Sequence, residues 1–332
     1  MTIKGIQMRA WRAETFGEAV DVLKLVDAPV PEPKGNQIQV KVTAAGVGLP
    51  DVLMIRGVYP AVAAPPVTPG QEVVGIVTAV GPDADVKVGQ KVMTSTQFAQ
   101  GAGGFADYTL ASSNSAMTIP KNMSDEEAAG FFVPYHTGYV GLVQRGQIQA
   151  GETLLVLGGA GSSGSAAIML GKAFGATVIA TASSAEKAEF CRKLGADHVV
   201  NYSEQPIHKA VREITGGVGA QIVYDPVGGS AYEAATKCIA QHGRIVLIGY
   251  GSGTWPKVDP LHVVLKSYSL IGAFAGARTT EETRAHHAHL VQLAEASKIG
   301  VPLDKVFDFD HVPQAIDRLA KGEMLGKVVV RV

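Results

Sequence analysis

Residues 153–164 read Thr-Leu-Leu-Val-Leu-Gly-Gly-Ala-Gly-Ser-Ser-Gly, an apolar run that ends in glycines and opens onto a helix-like segment. Gly159, Gly161 and Gly164 stand in G-x-G-x-x-G spacing. In that spacing the first glycine permits a sharp turn out of a strand, the second lets backbone approach a pyrophosphate, and the third lets helix pack on strand. Ser162 and Ser163 fall where the helix begins, and its free N–H groups would receive phosphate. Glycine-rich turns also serve as plain loops. A strand before, a helix after and repeated βα units beyond select the dinucleotide reading.

Working outward from this stretch, strands are expected at 153–158, 177–182, 198–201, 220–225, 244–248 and 268–273. Helical patterns such as 185–194 and 230–239 separate the first five. Six strands with helical crossovers predict an α/β fold with a doubly wound parallel sheet, whose ligand lies beyond the carboxyl ends of the strands. Upstream, residues 8–110 look mostly β, with apolar, β-branched runs at 37–44 and 72–80 bounded by Pro or Gly. The tail from about residue 276 carries helical patterns at 280–297 and 312–321 and a last strand at 327–332. These pieces are too few for a third domain and are expected to return to the β-rich half. The expected division is therefore 1–130, completed by 276–332, against 131–275.

Composition bounds the function. The chain has 332 residues, 46% hydrophobic and 18% charged, enough for two sizeable cores. A formal net charge of −1 offers no general attraction to nucleic acid or an anionic membrane. The first residues lack the apolar segment of a signal peptide, and no apolar run is long enough to span a bilayer, so a soluble, cytoplasmic protein is expected. Cys191 and Cys238 are the only cysteines; both lie in helix-like segments and read as small core residues.

Several further landmarks accompany the glycine motif: Ala-Ala-Gly-Val-Gly-Leu-Pro-Asp (44–51), Pro-Gly-Gln-Glu-Val-Val-Gly (69–75), Val-Lys-Val-Gly-Gln-Lys-Val (86–92), Leu-Gly-Ala-Asp-His-Val-Val-Asn-Tyr (194–202), Tyr-Asp-Pro-Val-Gly-Gly (224–229) and Gly-Lys-Val-Val (326–329). With these the chain resembles the medium-chain dehydrogenase/reductase superfamily over nearly its whole length, and most of all its zinc-free, zeta-crystallin-like quinone oxidoreductases. Enoyl reductases are near neighbours. The resemblance implies a GroES-like catalytic domain, a Rossmann domain and an active site in the cleft between them.

Zinc-dependent relatives place ligands at positions that read here as Gly48, Gln71 and Val133. Glycine and valine have no ligating side chain and an amide is a poor zinc ligand, so no catalytic metal is expected. No cysteine lies between Val92 and Tyr108, where a structural-zinc lobe would stand. His286, His287 and His289 lie beside Glu281 and Glu282 on one polar helix and read as a solvated face rather than a metal site. Without a metal Lewis acid, reduction of a conjugated carbonyl or quinone fits better than alcohol oxidation.

An NAD site usually ends its second strand with Asp or Glu, which bonds the ribose 2′-hydroxyl. Here the segment reads Thr181-Ala182-Ser183-Ser184 with Lys187 one turn later, a set that favours NADPH by removing the carboxylate and supplying donors and a positive charge. The plain alternative is a serine N-cap followed by a surface lysine. The resemblance implies that Lys187 and Tyr202 hold the 2′-phosphate, that Gly249 and Tyr250 lie along the cofactor, and that Thr137 stands beside its nicotinamide half. It also directs the chemistry to Asp51 and Tyr59, in Asp-Val-Leu-Met-Ile-Arg-Gly-Val-Tyr-Pro. A phenol with an ordinary pKa of about 10 keeps its proton at neutral pH and would bond a developing enolate oxygen, or merely wall the pocket. Asp51 is expected to orient loop backbone or a neighbouring side chain. Where quinone oxidoreductases commonly carry Asn, this chain has Gly48.

The expected function is thus an NADPH-dependent, zinc-free reductase of quinones or α,β-unsaturated carbonyl compounds. Two rivals remain at this level: an enoyl-thioester (enoyl-CoA) reductase, and a catalytically idle NADPH binder of crystallin-like or RNA-binding type, against which the missing basic patch argues. The 268–273 strand has no obvious covering helix, and the resemblance implies that this edge pairs with its copy across a two-fold axis, so a homodimer is expected.

Overall fold

In the computed structural model, which describes residues 7–60 and 64–332, the decisive stretch is a strand that stops at Val156 and a helix that starts at Ser162. The chain divides into two units: residues up to Val133 with Thr280–Glu295 and Val301–Val332, and Pro134–Thr279 with Ala296–Gly300.

The first unit opens with β1 (Gln7–Ala13), α1 (Ala19–Val22), β2 (Leu23–Pro29), β3 (Gln37–Gly46), α2 (Leu49–Ile55), β4 (Glu72–Val80), β5 (Lys91–Ser95), β6 (Tyr108–Ser112) and α3 (Asp125–Ala129). α4 (Phe132–Tyr139) leads into the second unit, which runs β7 (Thr153–Val156), α5 (Ser162–Ala173), β8 (Thr177–Ala182), α6 (Ala185–Lys193), β9 (His198–Asn201), α7 (Ile207–Ile214), β10 (Ala220–Asp225), α8 (Gly229–Thr236), β11 (Ile239–Leu247), α9 (Pro260–Lys266) and β12 (Ser269–Gly272). α10 (Thr280–Glu295), β13 (Leu303–Asp308), α11 (Val312–Ala320) and β14 (Lys327–Arg331) follow.

In the first unit β3 is the hub. It pairs antiparallel with β4, β6 and β14, and β13 joins β14 in parallel. One core gathers Val42, Val47, Met54, Phe105, Ile316 and Val328, so that α2, α11 and β14 close on the β-rich half. Each such fully buried aliphatic side chain contributes roughly 1.5–3 kcal/mol. This is the GroES-like part of the fold.

In the second unit all neighbours run parallel in the order β12-β11-β10-β7-β8-β9. The order reverses between β7 and β10, which is the switch point where ligands bind in doubly wound sheets. Leu154, Leu155, Val156, Val178, Ile179 and Ala180 are buried, as expected for strands covered on both faces. This is a Rossmann sheet of six parallel strands.

Several expectations are corrected. The pattern read as a helix over 230–239 stops at Thr236, and β11 begins at Ile239 rather than Arg244. Ile239 pairs with Ala220, His242 takes a left-handed φ of 59°, and the register then resumes with Arg244 opposite Ile222. Cys238 therefore sits between helix and strand, while Cys191 lies within α6; burial pushes both thiols up to about 12. Residues 296–300 belong to the second unit, where the Tyr135 hydroxyl donates to the Gly300 carbonyl. The histidines of α10 are not a uniform solvated face: His287 is buried, with Nε2 2.7 Å from the Thr118 carbonyl and its ring edge-on to Phe131. β1, β2, β5, β6 and β13 were not read individually from the sequence. No helix among the described residues is long and apolar enough to cross a membrane.

Candidate functional site

The glycine stretch forms a backbone cradle at the carboxyl end of β7. Gly158 takes the left-handed conformation at φ +63° that makes the turn out of the strand, a role the sequence had suggested for Gly159. Gly159 instead provides close packing: a Cβ there would stand 2.9 Å from both Ala180 Cβ and Cys191 Sγ. Gly161 is the N-cap of α5, and a Cβ on Gly164 would meet the Gly158 carbonyl oxygen at 2.2 Å. Thr181 fastens the turn from behind, its hydroxyl accepting from Gly158 N–H at 3.0 Å and its carbonyl from Gly159 N–H at 2.9 Å. Ser165 bonds back to the Gly161 carbonyl, and the Ser163 hydroxyl lies 2.7 Å from that of buried Tyr224. Ser162 and Ser163 are both partly exposed at the start of the helix.

The end of β8 carries no carboxylate. Ser183 and Ser184 follow it, and the Ser184 hydroxyl accepts from Lys187 N–H at 3.2 Å, which makes Ser184 the N-cap of α6. The plain reading of Ser184 is thus realised, and its hydroxyl proton stays available because the cap uses only a lone pair. Tyr202 N–H donates to the Ala182 carbonyl at 3.0 Å, which brings exposed Tyr202 beside the 183–187 turn. The backbones of Ser183, Ser184, Lys187 and Tyr202 thus come together at the carboxyl end of β8.

Across the switch point stands a residue the sequence reading did not single out. Asp225, fully buried at the end of β10, accepts Val227 N–H at 2.9 Å and Gly228 N–H at 2.8 Å with one oxygen. Its backbone carbonyl accepts from Ile248 and Gly249. Burial holds its carboxyl above the ordinary range. Asp225 thereby shapes the turn whose Val227 side chain lies 2.9 Å from a Cβ built on Gly158, and it anchors the start of the Gly249–Tyr250 loop. The Tyr250 ring packs against Trp255 with centroids 4.2 Å apart. Thr137, on α4, is partly buried. The only signal for Asp225 in the sequence is its place in Tyr-Asp-Pro-Val-Gly-Gly.

In the first unit the organiser is a side chain. Asp51 is fully buried; its Oδ2 accepts Gly48 N–H at 2.8 Å, and its Oδ1 accepts Gly70 N–H at 2.7 Å and Gln71 N–H at 3.2 Å. One carboxylate thus ties the start of α2 to the turn before β4. Gly70 stands at φ +114°, and a Cβ there would strike the Gly104 nitrogen at 2.5 Å, so this close approach requires glycine. Burial pushes the Asp51 carboxyl up to about 6, against the pull of the Gly48 and Gly70 N–H groups and of Lys327. Behind it lies a buried ion pair that the sequence reading missed, Glu72 with Lys327, in which Glu72 Oε2 also accepts Val133 N–H at 2.7 Å. Gly46 and Gly130 leave room for the lysine stem.

Asp51 ties together Gly48 and Gln71, two of the three positions compared with zinc ligands. The Gln71 carboxamide lies 3.8 Å from the point a Gly48 Cβ would occupy, and Val133 is joined to Glu72, the next residue after Gln71. Among the described residues no group of three or more His, Cys, Asp or Glu side chains is placed to hold a metal ion. Tyr59 follows α2, half-buried, its ring tilted against Phe98 with centroids 5.5 Å apart. Tyr59 packs against the same core cluster as α2, whereas Asp51 directs its hydrogen bonds to backbone N–H groups.

Comparison with known proteins agrees with both halves. Residues 34–121 match the family model "Alcohol dehydrogenase GroES-like domain", and residues 164–292 match "Zinc-binding dehydrogenase". The human quinone oxidoreductase is 29% identical over 326 residues, 97% of each chain. A quinone oxidoreductase-like protein 2 from Bos taurus is 30% identical over 97% of this chain and 93% of that protein. The chain belongs to the quinone oxidoreductase branch of the medium-chain dehydrogenase/reductase superfamily. A mycobacterial member solved in complex with NADPH is similar across 98% of this chain and 100% of its own, at 31% identity and a TM-score of 0.90. The chain is accordingly an oxidoreductase of this superfamily.

Proposed function

We propose that this protein is an NADPH-dependent reductase of quinones or α,β-unsaturated carbonyl compounds that works without zinc. The reading is supported by the residue types at Gly48, Gln71 and Val133, a hydrogen, an amide and an isopropyl group at positions where the resembling zinc enzymes carry ligands, with Gly48 and Gln71 tied to one another through Asp51. Hydride addition to a conjugated acceptor needs no such metal, because charge spreads to an oxygen that hydrogen bonds stabilise.

The residues of the second unit fit NADPH. The cradle of Gly158, Gly161 and Gly164 is one that a Cβ at Gly164 would close, and it presents the first turn of α5 to a pyrophosphate. Lys187, Tyr202, Ser183 and Ser184 would hold the 2′-phosphate, with no carboxylate at the end of β8 to repel it. Thr137, Gly249 and Tyr250 would line the rest of the dinucleotide. When bound, the cofactor supplies the hydride. Tyr59 would donate to the substrate oxygen, and Asp51 acts as a positioning residue that keeps α2 and the 69–71 turn together.

Substrate class is tested by following NADPH oxidation with 1,4-benzoquinone, a cyclic enone and crotonyl-CoA at matched concentrations. Turnover of the quinone or enone above the thioester supports the reading. Preference for crotonyl-CoA would make the protein an enoyl-thioester reductase, and no oxidation with any electrophile would return it to an idle NADPH binder.

We further propose a homodimer. β12 pairs on one side only, with β11, and α9 beside it buries none of its residues. Val264 is 71% exposed and Phe274 72%, with Leu261 and Leu265 also exposed nearby in sequence. An apolar edge of this kind is a liability unless it is covered, and two-fold pairing would cover it. Light scattering should give twice the chain mass at micromolar concentration; a monomer mass would contradict this.

A further inference from the structure

Tyr224 is a buried titratable side chain that the proposed function leaves unused. It stands in β10 with Val156 of β7 and Val246 of β11 as its register partners, and its carbonyl accepts from Leu157 N–H at 3.1 Å. Its ring lies against Gly141, in the helical turn that continues α4, where a Cβ would meet Tyr224 Cε2 at 3.0 Å. Backbone and ring are thus both held in place, and the residue is fully buried. The phenol hydroxyl has a single hydrogen-bond partner among the described residues, Ser163 Oγ at 2.7 Å. Ser163 in turn makes no other side-chain hydrogen bond among them, and it is partly exposed in the first turn of α5.

The pair has a definite proton order. Burial pushes the ionisation of Tyr224 above the ordinary phenol value, so its proton stays on and needs an acceptor, because a buried O–H that donates to nothing forfeits a hydrogen bond. Ser163 Oγ is the acceptor at hand. The serine therefore receives from Tyr224, and its own hydrogen turns away from the phenol, which adds a donor at a helix start where an anion is already favoured. The sheet order says which part of a dinucleotide that donor meets. Tyr224 and Ser163 meet on the β10 side of β7, whereas Ser183, Ser184 and Lys187 follow β8 on its other side. We infer that Tyr224 is a positioning residue that makes Ser163 a hydrogen-bond donor to an oxygen in the part of the dinucleotide common to NADPH and NADH. The inference rests on the NADPH reading.

The test measures binding of NADPH and of NADH by titration calorimetry for wild type, Tyr224→Phe, Ser163→Ala and the double variant, with Tm alongside. Tyr224→Phe should weaken both dinucleotides by about 3-fold to 10-fold, the effect of one hydrogen bond held in position. Ser163→Ala should weaken both at least as much and lower Tm, because it strands the buried phenol. Adding Tyr224→Phe to Ser163→Ala should cost no further affinity and should recover Tm. A loss from Tyr224→Phe that is just as large in the Ser163→Ala background would show that Tyr224 acts on the fold and not through Ser163, and would overturn the inference. Unchanged affinity in either single variant, or a loss for NADPH alone, would also overturn it while the NADPH reading stands. Ser163→Ala decides by itself should Tyr224→Phe not fold. Wild type that binds neither dinucleotide would end the NADPH reading, and this inference with it.

Discussion

In the second unit the cradle at the end of β7 is shaped by backbone: the turn at Gly158, the N-cap at Gly161 and the tight approach at Gly164 bring the first turn of α5 up against the end of the strand. In the first unit the corresponding geometry is enforced by a side chain, the buried Asp51 carboxylate that collects N–H groups from Gly48, Gly70 and Gln71. A backbone cradle tolerates many neighbouring side chains as long as its glycines remain. A carboxylate clamp concentrates the same task in one residue, and it also places a titrating charge behind the chemistry. The cofactor half should therefore be robust and the substrate half brittle.

The sharpest way to break this contrast is Asp51→Ala. The buried Gly70 N–H and the partly buried Gly48 and Gln71 N–H groups would lose their acceptor, at about 1–3 kcal/mol for each group left unsatisfied. Allowing for partial relaxation, urea unfolding should show a loss of about 3 kcal/mol or more, and turnover should fall with it. A loss below about 1 kcal/mol would mean that the turn holds itself. The same residue sets a pH signature. Its carboxyl, raised from 3.8 to about 6 by burial, binds its proton more tightly folded than unfolded. The stability it contributes is full below about pH 4 and is lost as pH rises through 6, a change of about 3 kcal/mol at 1.36 kcal/mol per unit. Asp51→Asn, which keeps an acceptor but cannot titrate, should gain on wild type by about that amount between pH 4 and 7. Parallel stability profiles would remove Asp51 from the pH dependence.

Lys187→Ala comes next and sharpens the cofactor half. It should weaken NADPH by about 1.5–3 kcal/mol while sparing NADH, because a charge-assisted contact to the 2′-phosphate is removed. Equal losses for both cofactors, read by titration calorimetry, would mean that Lys187 only supports α6. The smallest expected effect is at Tyr59. Tyr59→Phe should lower turnover about tenfold, more for enones than for quinones, with NADPH affinity intact, because Tyr59 is only half-buried and water can take the place of its hydroxyl. Unchanged kcat with an altered KM would make Tyr59 a wall of the pocket.

The contrast also explains what the sequence disclosed. A backbone cradle must be written in glycine, so residues 158–164 announced it, and the strands at 177–182, 198–201 and 220–225 agree with β8, β9 and β10 to the residue. The turn was displaced by one position, to Gly158, because G-x-G-x-x-G spacing does not say which of two adjacent glycines takes positive φ. The clamp was less legible. Asp51 could be picked out as an orienting residue, but two of its three partners are 19 and 20 residues away and all three are backbone groups, which leave no mark on residue type. Glu72 and Lys327, 255 residues apart, gave no signal of pairing, since a buried ion pair reads in sequence as two ordinary charges. β11 was misread at its start because Cys238, Ile239 and Ala240 continue the apolar pattern of α8, and only the His242 turn separates them from the strand proper. His287 was assigned to solvent because its neighbours are charged; its place against Phe131 depends on a fold-level contact.

The central claim is hydride transfer from NADPH to a conjugated acceptor by a site built without metal. Its most direct test is the rate of NADPH oxidation, followed by nicotinamide absorbance, when protein extensively treated with chelator is mixed with an enone or benzoquinone. The account predicts undiminished oxidation with at least one acceptor and no stoichiometric zinc in the active preparation. Activity that vanishes in chelator and returns with about one zinc per chain would contradict it.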